Sequence, residues 1–475
     1  MRFSVGVNVI SGRAPSWIRI VRRISFGITI RPVSYTKYGG RRSKNFHDFY
    51  AKITLPIDFI VFVCYNYRIF ISNTIYRKNT SEDSTRIENI SSRAFEIIIG
   101  RPLSYYETYI ITLERYVIYM YNCFRPGKEW LDTTGKPIQA HGGSIIFLNG
   151  EYYLYGENKE KTKPGSGIWH WGVRCYKSSD LYNWEDLGLI CPPETEDDDN
   201  PLHYAQYLDR PHIIYNDKTQ KFVMWIKIMN KQNLSSQKMY VAVSDKITGP
   251  YTKVKFFHPL GMSSGDFDLA KDEESGKAYI FFDRVHHDII CADLNEDYTD
   301  VTGTYTAHFQ QPFCPLVREA PAFFKRNGYL YLATSGTTGY FPNPTNCYRG
   351  TDYHGPWEDL GYLHRGDIER LSFRSQISSV FKHPKKENLY IALADRWLVE
   401  LPDNMPHNLF EIIISDCDET QELIIPKDEY ERIKSYNNPM KRDLSIAKYV
   451  WLPIEFDGDT PYIKWYDEWR VEDFD

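Results

Sequence analysis

The stretch IQAHGGSIIFLNGEYYLYGE, residues 138–157, decides the fold. Two apolar runs flank Asn149-Gly150, a pair suited to the positive φ of a tight hairpin turn. The run after the turn is aromatic-rich, as a pleated strand favours. The same phrase, a turn and then an aromatic or β-branched strand, recurs four more times: TQKFVMWIKI (219–228), SGKAYIFFDR (275–284), NGYLYLATSG (327–336) and KENLYIALAD (386–395). The copies lie 50–70 residues apart.

A second phrase follows the first in four of the units: CYKSSDLYNWEDLG (175–188), VAVSDKITGPYTKV (241–254), CADLNEDYTDVTG (291–303) and CYRGTDYHGPWEDLG (347–361). A strand there ends in an Asp-containing turn and runs on through Tyr or Trp. A period of this length, with four strands per unit, is the mark of a β-propeller. Five units predict an all-β, five-bladed β-propeller. The end of the chain, YVWLPIEFDGDTPYIKWYDEW (449–469), supplies strands to finish the last blade and close the ring. Helical signals are scarce, and PKDEYERIKSYNN (426–438) is the best of them.

Charge divides the chain. Residues 1–128 carry 20 Lys/Arg against 8 Asp/Glu, a balance of +12, and residues 129–475 carry −17. The expected organisation is a basic extension over 1–128 and a propeller over 129–475. Before Met224 the methionines are Met1 and Met120, and Met120 stands just ahead of the first repeat. Residues 1–119 therefore read as a stretch upstream of a natural start at Met120, or as a poorly folding appendage. The basic residues are scattered, which argues against a nucleic-acid partner. The apolar run LPIDFIVFVCYNYRIFIS (55–72) is interrupted by Asp58 and Arg68, which argues against a membrane span. The start has no clean signal peptide. The eight cysteines form no CxxC pair and no zinc spacing, so buried free thiols are expected, with a disulfide open if the protein is exported.

Inner strands of a propeller converge on one axis, so polar residues at their openings meet in one cavity. LDRPHIIYN brings Asp209 beside Arg210; REAPAFF brings Arg318 and Glu319. SSGDFDLAKDEESG brings Asp266 and Asp268, with Asp272, Glu273 and Glu274 as a solvated turn. FRSQISS offers Gln376 and no acid, and QAHGG in the first unit has no acid either. A charged pair leading into a buried strand is costly unless it faces a polar cavity. Two carboxyl groups across such a cavity can run glycoside hydrolysis, one protonated to serve the leaving oxygen and one ionised to serve water. A third acid raises the donor's pKa by like-charge repulsion. The chain offers a donor and a modulator but no obvious base.

Taken together, the 138–157 stretch, DRPHIIYN, REAPAFFKRNGYLYLATSGTTG, SQISSVF and YVWLPIEF resemble glycoside hydrolase family 43 over residues 129–469. The likeness is strongest to the branch that includes exo-β-1,3-galactanases. That resemblance implies Glu319 as the acid and Asp209 as the modulator, at a place where the branch carries Glu. The wider family's Asp base falls on Gly142, counting back from Tyr152, and is absent. The branch implies Gln376 as base, through an imidic acid tautomer. It also implies sugar contacts at Glu157, Asp266 and Thr337, with His141 and the paired glycines shaping room for the sugar. An acid ending a strand, as Glu157 does, is as readily a solvated surface residue.

The resemblance implies an inverting, exo-acting hydrolase that releases galactose from the β-1,3-galactan of arabinogalactan. An α-L-arabinofuranosidase of the same fold, or a propeller that binds glycans without cleaving them, stays open. The expected partner is an oligo- or polysaccharide, and a monomer is expected. No cofactor is expected. A calcium ion near the axis is compatible with the family, although no acid-dense loop of the EF-hand type occurs. A periplasmic or extracellular place is what the family implies.

Overall fold

The computed structural model describes residues 120–475 apart from Asn404; in residues 1–119 it describes only the backbone of short strands. The expectations for a basic extension and a start at Met120 concern residues outside that description. Met120–Asp475 forms one compact unit.

Four-stranded antiparallel sheets follow one another along the chain, and each is a blade. The first blade runs from His141 to Cys191, the second from Tyr207 to Phe257, the third from Ser264 to His308 and the fourth from Arg318 to Tyr362. The fifth uses Gln376–Lys382, Tyr390–Arg396, Leu452–Asp457 and Thr460–Ile463, and Lys448–Tyr449 also pairs with its second strand. The five-bladed propeller expected from the repeat is therefore the fold. The recurring turn-plus-aromatic phrases are the second strands of the blades. The innermost strands are the ones just before them: His141–Leu148, Tyr207–Asn216, Ser264–Lys271, Arg318–Arg326 and Gln376–Lys382. Each of these touches the inner strands of the two neighbouring blades, and the fifth touches the first.

Apolar residues fill the wedges between blades. Leu208, Met224 and Ile226 pack with Tyr155 and Val173 between the first two blades. Trp225, Phe267 and Phe282 pack between the second and third. Polar ties cross the same seams. Asp268 accepts from Phe323 N at 2.8 Å and pairs with His212 Nδ1 at 2.8 Å, so it joins three blades. The ring is clasped where Phe124 and Trp469 exchange backbone hydrogen bonds of 2.8 and 3.1 Å and stack at 4.4 Å.

Between the second and third strands of the fifth blade an insertion carries two helices, Leu409–Cys417 and Lys427–Lys434. The second lies within the expected 426–438 segment; the first was not anticipated. Leu409, Ile413 and Ile433 pack on Phe341 and Leu371. Among the described residues the cysteines are free thiols, most of them buried. No helix among those residues is long and apolar enough to cross a membrane.

Trp469 is 2% exposed and its indole N–H donates to Trp451 O at 2.9 Å. Trp469→Ala is expected to lower the unfolding free energy by about 3–5 kcal/mol. Urea unfolding followed by fluorescence checks it; a loss below about 1 kcal/mol would show that the clasp is dispensable.

Candidate active site

Each inner strand carries one extra residue near its opening, a bulge against its second strand. The irregularities fall at His141/Ser144, Asp209/His212, Ser264/Phe267, Glu319/Ala322 and Ile377/Ser379. Bulges bend a strand and re-aim its side chains. Here they bring His141, Asp209, Ser264, Glu319 and Gln376 to matching places around the axis. Their cross-strand partners are Glu157, Lys227, Arg284, Ser335 and Asp395. In the third blade the bulge itself presents Asp266, and Asp283 stands one place before Arg284.

The residues picked from the sequence mostly meet here, tied together by Arg210, which the sequence sets beside Asp209, and by Lys159 and Lys227, which it did not single out. Lys159 Nζ lies 2.7 Å from Glu157 Oε2 and 3.6 Å from Asp209 Oδ1. Lys227 Nζ lies 3.5 Å from Asp209 Oδ2 and 2.8 Å from Asp266 Oδ1. Arg210 reaches Asp266 Oδ2 at 3.1 Å, donates to Ile377 O at 3.1 Å and donates to Gln376 Oε1. Gln376 Nε2 then donates to Glu319 Oε1 at 3.1 Å and to Ser335 Oγ at 2.9 Å. The arrangement is one unbroken path from Glu157 to Glu319 through all five blades.

Burial and neighbouring charge drive these groups apart. Burial pushes Glu157 up to about 8, against the pull of Lys159. Burial would raise Asp266 too, but Arg210 and Lys227 hold it down at about 2. Asp209 is likewise held below its ordinary value, against burial, by Lys227, Lys159 and the Trp169 indole, which donates at 2.9 Å. Asp283 is pushed to about 8 by burial and then by the Asp266 charge. Glu319 is raised well above the ordinary carboxylate range by burial, then by the charges of Asp266 and Asp283. Unlike Glu157, Asp209 and Asp266, it keeps part of its surface exposed, as does Gln376. Divergent values of this kind mark an acid and its modulator.

Three placements differ from expectation. The charges acting on Glu319 are those of Asp266 and Asp283, because Asp209 is occupied by Lys159, Lys227 and Trp169. Glu157, expected as a sugar contact, is 1% exposed and paired with Lys159 within the ring. Thr337 stands apart: its N–H donates to Pro315 O at 3.0 Å, its hydroxyl is buried without a partner, and no contact joins it to the carboxylates. Gln376 has its amide oxygen turned to a guanidinium and both N–H groups donated. That is the hydrogen-bond pattern of the amide form, with Arg210 on one of the oxygen's two acceptor sites. His141 is buried, with Nδ1 2.8 Å from Asp395 Oδ1 and its ring stacked on Tyr449 at 4.7 Å.

A small, partly open pocket lies over Gln376 and Asp395, walled by Tyr340, Phe341, Trp397 and Leu398. Tyr340 sits 6.1 Å from the Trp169 ring and 6.0 Å from Trp397. Among the described residues no group of three or more His, Cys, Asp or Glu is placed to hold a metal ion.

A closed five-blade ring with acids at its axis, one of them raised well above the ordinary carboxylate range, is the build of a carbohydrate-active propeller. Residues 136–396 match the model of glycosyl hydrolases family 43, and the chain belongs to that family. Solved structures are similar along most of the chain. A GH43 β-1,3-galactosidase is 32% identical, covers 74% of this chain and 65% of its own, and superposes with a TM-score of 0.60. A second, with galactodeoxynojirimycin, is 27% identical, covers 73% and 100%, and gives 0.59. An exo-β-1,3-galactanase from Clostridium thermocellum is 26% identical, covers 73% and 66%, and gives 0.57. Xylosidase/arabinosidase 43B of Humicola insolens is 24% identical over 236 residues, 45% of this chain and 39% of that protein. This chain thus spans less than two thirds of that protein and of the first structure.

Lys227 is the hub between Asp209 and Asp266. Lys227→Met leaves two buried carboxylates short of a cation, and a loss of about 3–5 kcal/mol is expected. Chemical unfolding measures it; an unchanged midpoint would mean that Lys159 and Arg210 balance the ring alone.

Proposed function

We propose that this chain is an inverting, exo-acting glycoside hydrolase that releases galactose from the β-1,3-galactan of arabinogalactan. The observation that carries the reading is the state of Glu319. Its carboxyl is raised well above the ordinary carboxylate range, is only partly buried, and is held through Oε1 by Gln376, itself a pocket residue, which leaves Oε2 to carry the proton. Such a group donates to a departing glycosidic oxygen. Asp266, more than the Asp209 expected from the sequence, keeps that proton on. Gln376 orients the acid. The galactan specificity is supported by the relatives named β-1,3-galactosidase and exo-β-1,3-galactanase. The exo mode is supported by the walls of Tyr340, Phe341 and Trp397, which suit a chain end better than a chain middle. An arabinofuranosidase reading is favoured by the xylosidase/arabinosidase relative, and products from β-1,3-galactan against arabinan separate the two.

Glu319→Gln should cut turnover of β-1,3-galacto-oligosaccharides by about a thousandfold while leaving the melting temperature nearly unchanged. Near wild-type turnover would remove Glu319 from the acid role. NMR of the first-formed sugar reports inversion as α-galactose.

The pH profile tests the modulator. Asp266 is ionised through the working range, so its charge favours the protonated form of Glu319. Removing that charge lowers the Glu319 pKa, and the donating form is then lost at lower pH. Asp266→Asn is therefore expected to move the alkaline limb of kcat/KM toward acid. An unmoved limb, or one moved upward, would contradict the assignment.

A further inference from the structure

We infer that Asp367 is the positioning residue of Gln376. Its carboxylate holds the left-handed turn that leads into the fifth blade's inner strand, and so aims the Gln376 amide. The role in catalysis rests on the hydrolytic reading above.

The approach to Gln376 is strained. Arg370, Ser372, Phe373 and Arg374 stand at φ +53°, +53°, +53° and +59°. None is Gly, Asn or Asp, the residues that visit this region readily. Left-handed backbone at other residues persists only where the surroundings over-determine it, and it gathers at functional sites. Ser375 returns to extended backbone at φ −146°, and the next residue, Gln376, opens the strand. The direction in which the Gln376 side chain leaves the strand is therefore set by a turn that does not form by its own preference.

Asp367 over-determines that turn. One oxygen, Oδ2, accepts from Leu371 N at 2.9 Å, from Phe373 N at 3.0 Å and from the Tyr362 hydroxyl. Ser372 N, between the two, donates to the same Tyr362 hydroxyl at 3.0 Å. Three successive N–H groups thus converge on one carboxylate, two directly and one through a phenol. Successive N–H groups in such a turn make a concave nest that an anion fills. Other ties hold the outside of the turn. Arg374 forks onto Glu369 at 2.9 and 2.8 Å and donates to Pro402 O at 3.2 Å, and Arg396 donates to Phe373 O at 2.8 Å. Asp367 is the tie that grips the N–H groups inside it.

The consequence reaches the acid. Gln376 Nε2 donates to Glu319 Oε1 at 3.1 Å and to Ser335 Oγ at 2.9 Å, while its oxygen accepts from Arg210. Asp367 acts on these contacts through the backbone. When the turn relaxes, the amide leaves Glu319. A carboxyl group that loses a donor is harder to ionise, so its pKa rises.

The test compares Asp367→Ala and Asp367→Asn with the wild type in the full chain, on whichever of β-1,3-galactan and arabinan the wild type cleaves. Asp367→Ala should lower kcat by about 10- to 100-fold with little change in KM, the scale of a displaced functional group. Its alkaline limb of kcat/KM should move upward, opposite to the shift expected for Asp266→Asn. A loop that serves stability alone would lower the melting temperature and leave that limb in place. Asp367→Asn, whose amide oxygen can take the place of Oδ2, should keep most of the kcat that Asp367→Ala loses. Wild-type kcat in Asp367→Ala, an unmoved limb, or equal losses in the two variants overturn the proposal. Should Asp367→Ala melt, Asp367→Glu keeps the charge, moves the carboxylate by one methylene and decides by the same two readouts. A crystal structure of the variant needs no activity. The contact from Gln376 Nε2 to Glu319 Oε1 should open beyond hydrogen-bond distance, and an amide left in place refutes the positioning role. Near wild-type turnover of Glu319→Gln would instead remove the acid assignment, and the Gln376 contact would still decide the role of Asp367.

Discussion

Burying several carboxyl groups around one axis is possible only if cations are buried with them. Lys159, Lys227 and Arg210 meet that demand, and each sits between two acceptors instead of forming a simple pair. The spacing of these cations decides which acid is charged. Asp266 touches two of them and stays ionised. Glu319 touches none directly; an amide stands between it and Arg210, so burial and the Asp266 charge dominate. One stabilising network thus yields both an ionised acid and a protonated one. The chemistry follows from how charge balance is shared out.

Backbone irregularity makes that sharing possible. A regular strand alternates its side chains between faces, so successive residues could not both serve the axis. One extra residue at each inner-strand opening breaks the alternation. Asp209 and Arg210 can then both join the ring, with Arg210 at φ +53° and Ala320, after Glu319, at φ +50°. The third blade solves the packing differently. A Cβ on Gly265 would fall 2.2 Å from Asp283 Oδ2, so glycine there lets a second-strand carboxyl approach the bulge and lift the charge around Glu319.

Much of the fold was legible because its signals are local. Asn-Gly turns and aromatic strands repeat along the chain, and five copies imply five blades. Glu319 was legible because a charged pair opens an apolar strand. Lys227, Asp283 and Asp395 were not singled out, although their signal lay inside the quoted repeats. EYYLYGE, AYIFFDR and YIALADR all end in or near an acid, and KFVMWIKI places Lys227 within an apolar run where a charge has no surface reason to be. What no single strand reveals is register. That Glu157 fills the space beside Gly142, and that Asp395 lies across from Gln376, depends on pairings between strands and between blades. The helix Leu409–Cys417 escaped for another reason: its LFEIII run is as β-prone as it is helical, and packing on Phe341 and Leu371 decides it.

The insertion that holds this helix explains why the pocket is narrow. Asn437 accepts from Tyr340 N at 2.7 Å and donates to Thr338 O at 2.8 Å, which pins the loop carrying Tyr340. Further along, Leu444 N donates to Thr162 O at 3.0 Å, and Ser445 O accepts from Gln139 at 2.8 Å. The insertion therefore ties the fourth blade to the first, across the side of the ring where Trp397 meets Tyr340. Lys159 lies 4.4 Å from the Trp169 ring and 5.9 Å from Trp397, so one of the three aromatic walls also covers a buried cation. Moving Trp397 to admit a longer chain would uncover Lys159 on that side and loosen its hold on Glu157 and Asp209. Pocket shape and charge balance are thus one constraint: the walls that limit entry also keep the carboxylate network dry.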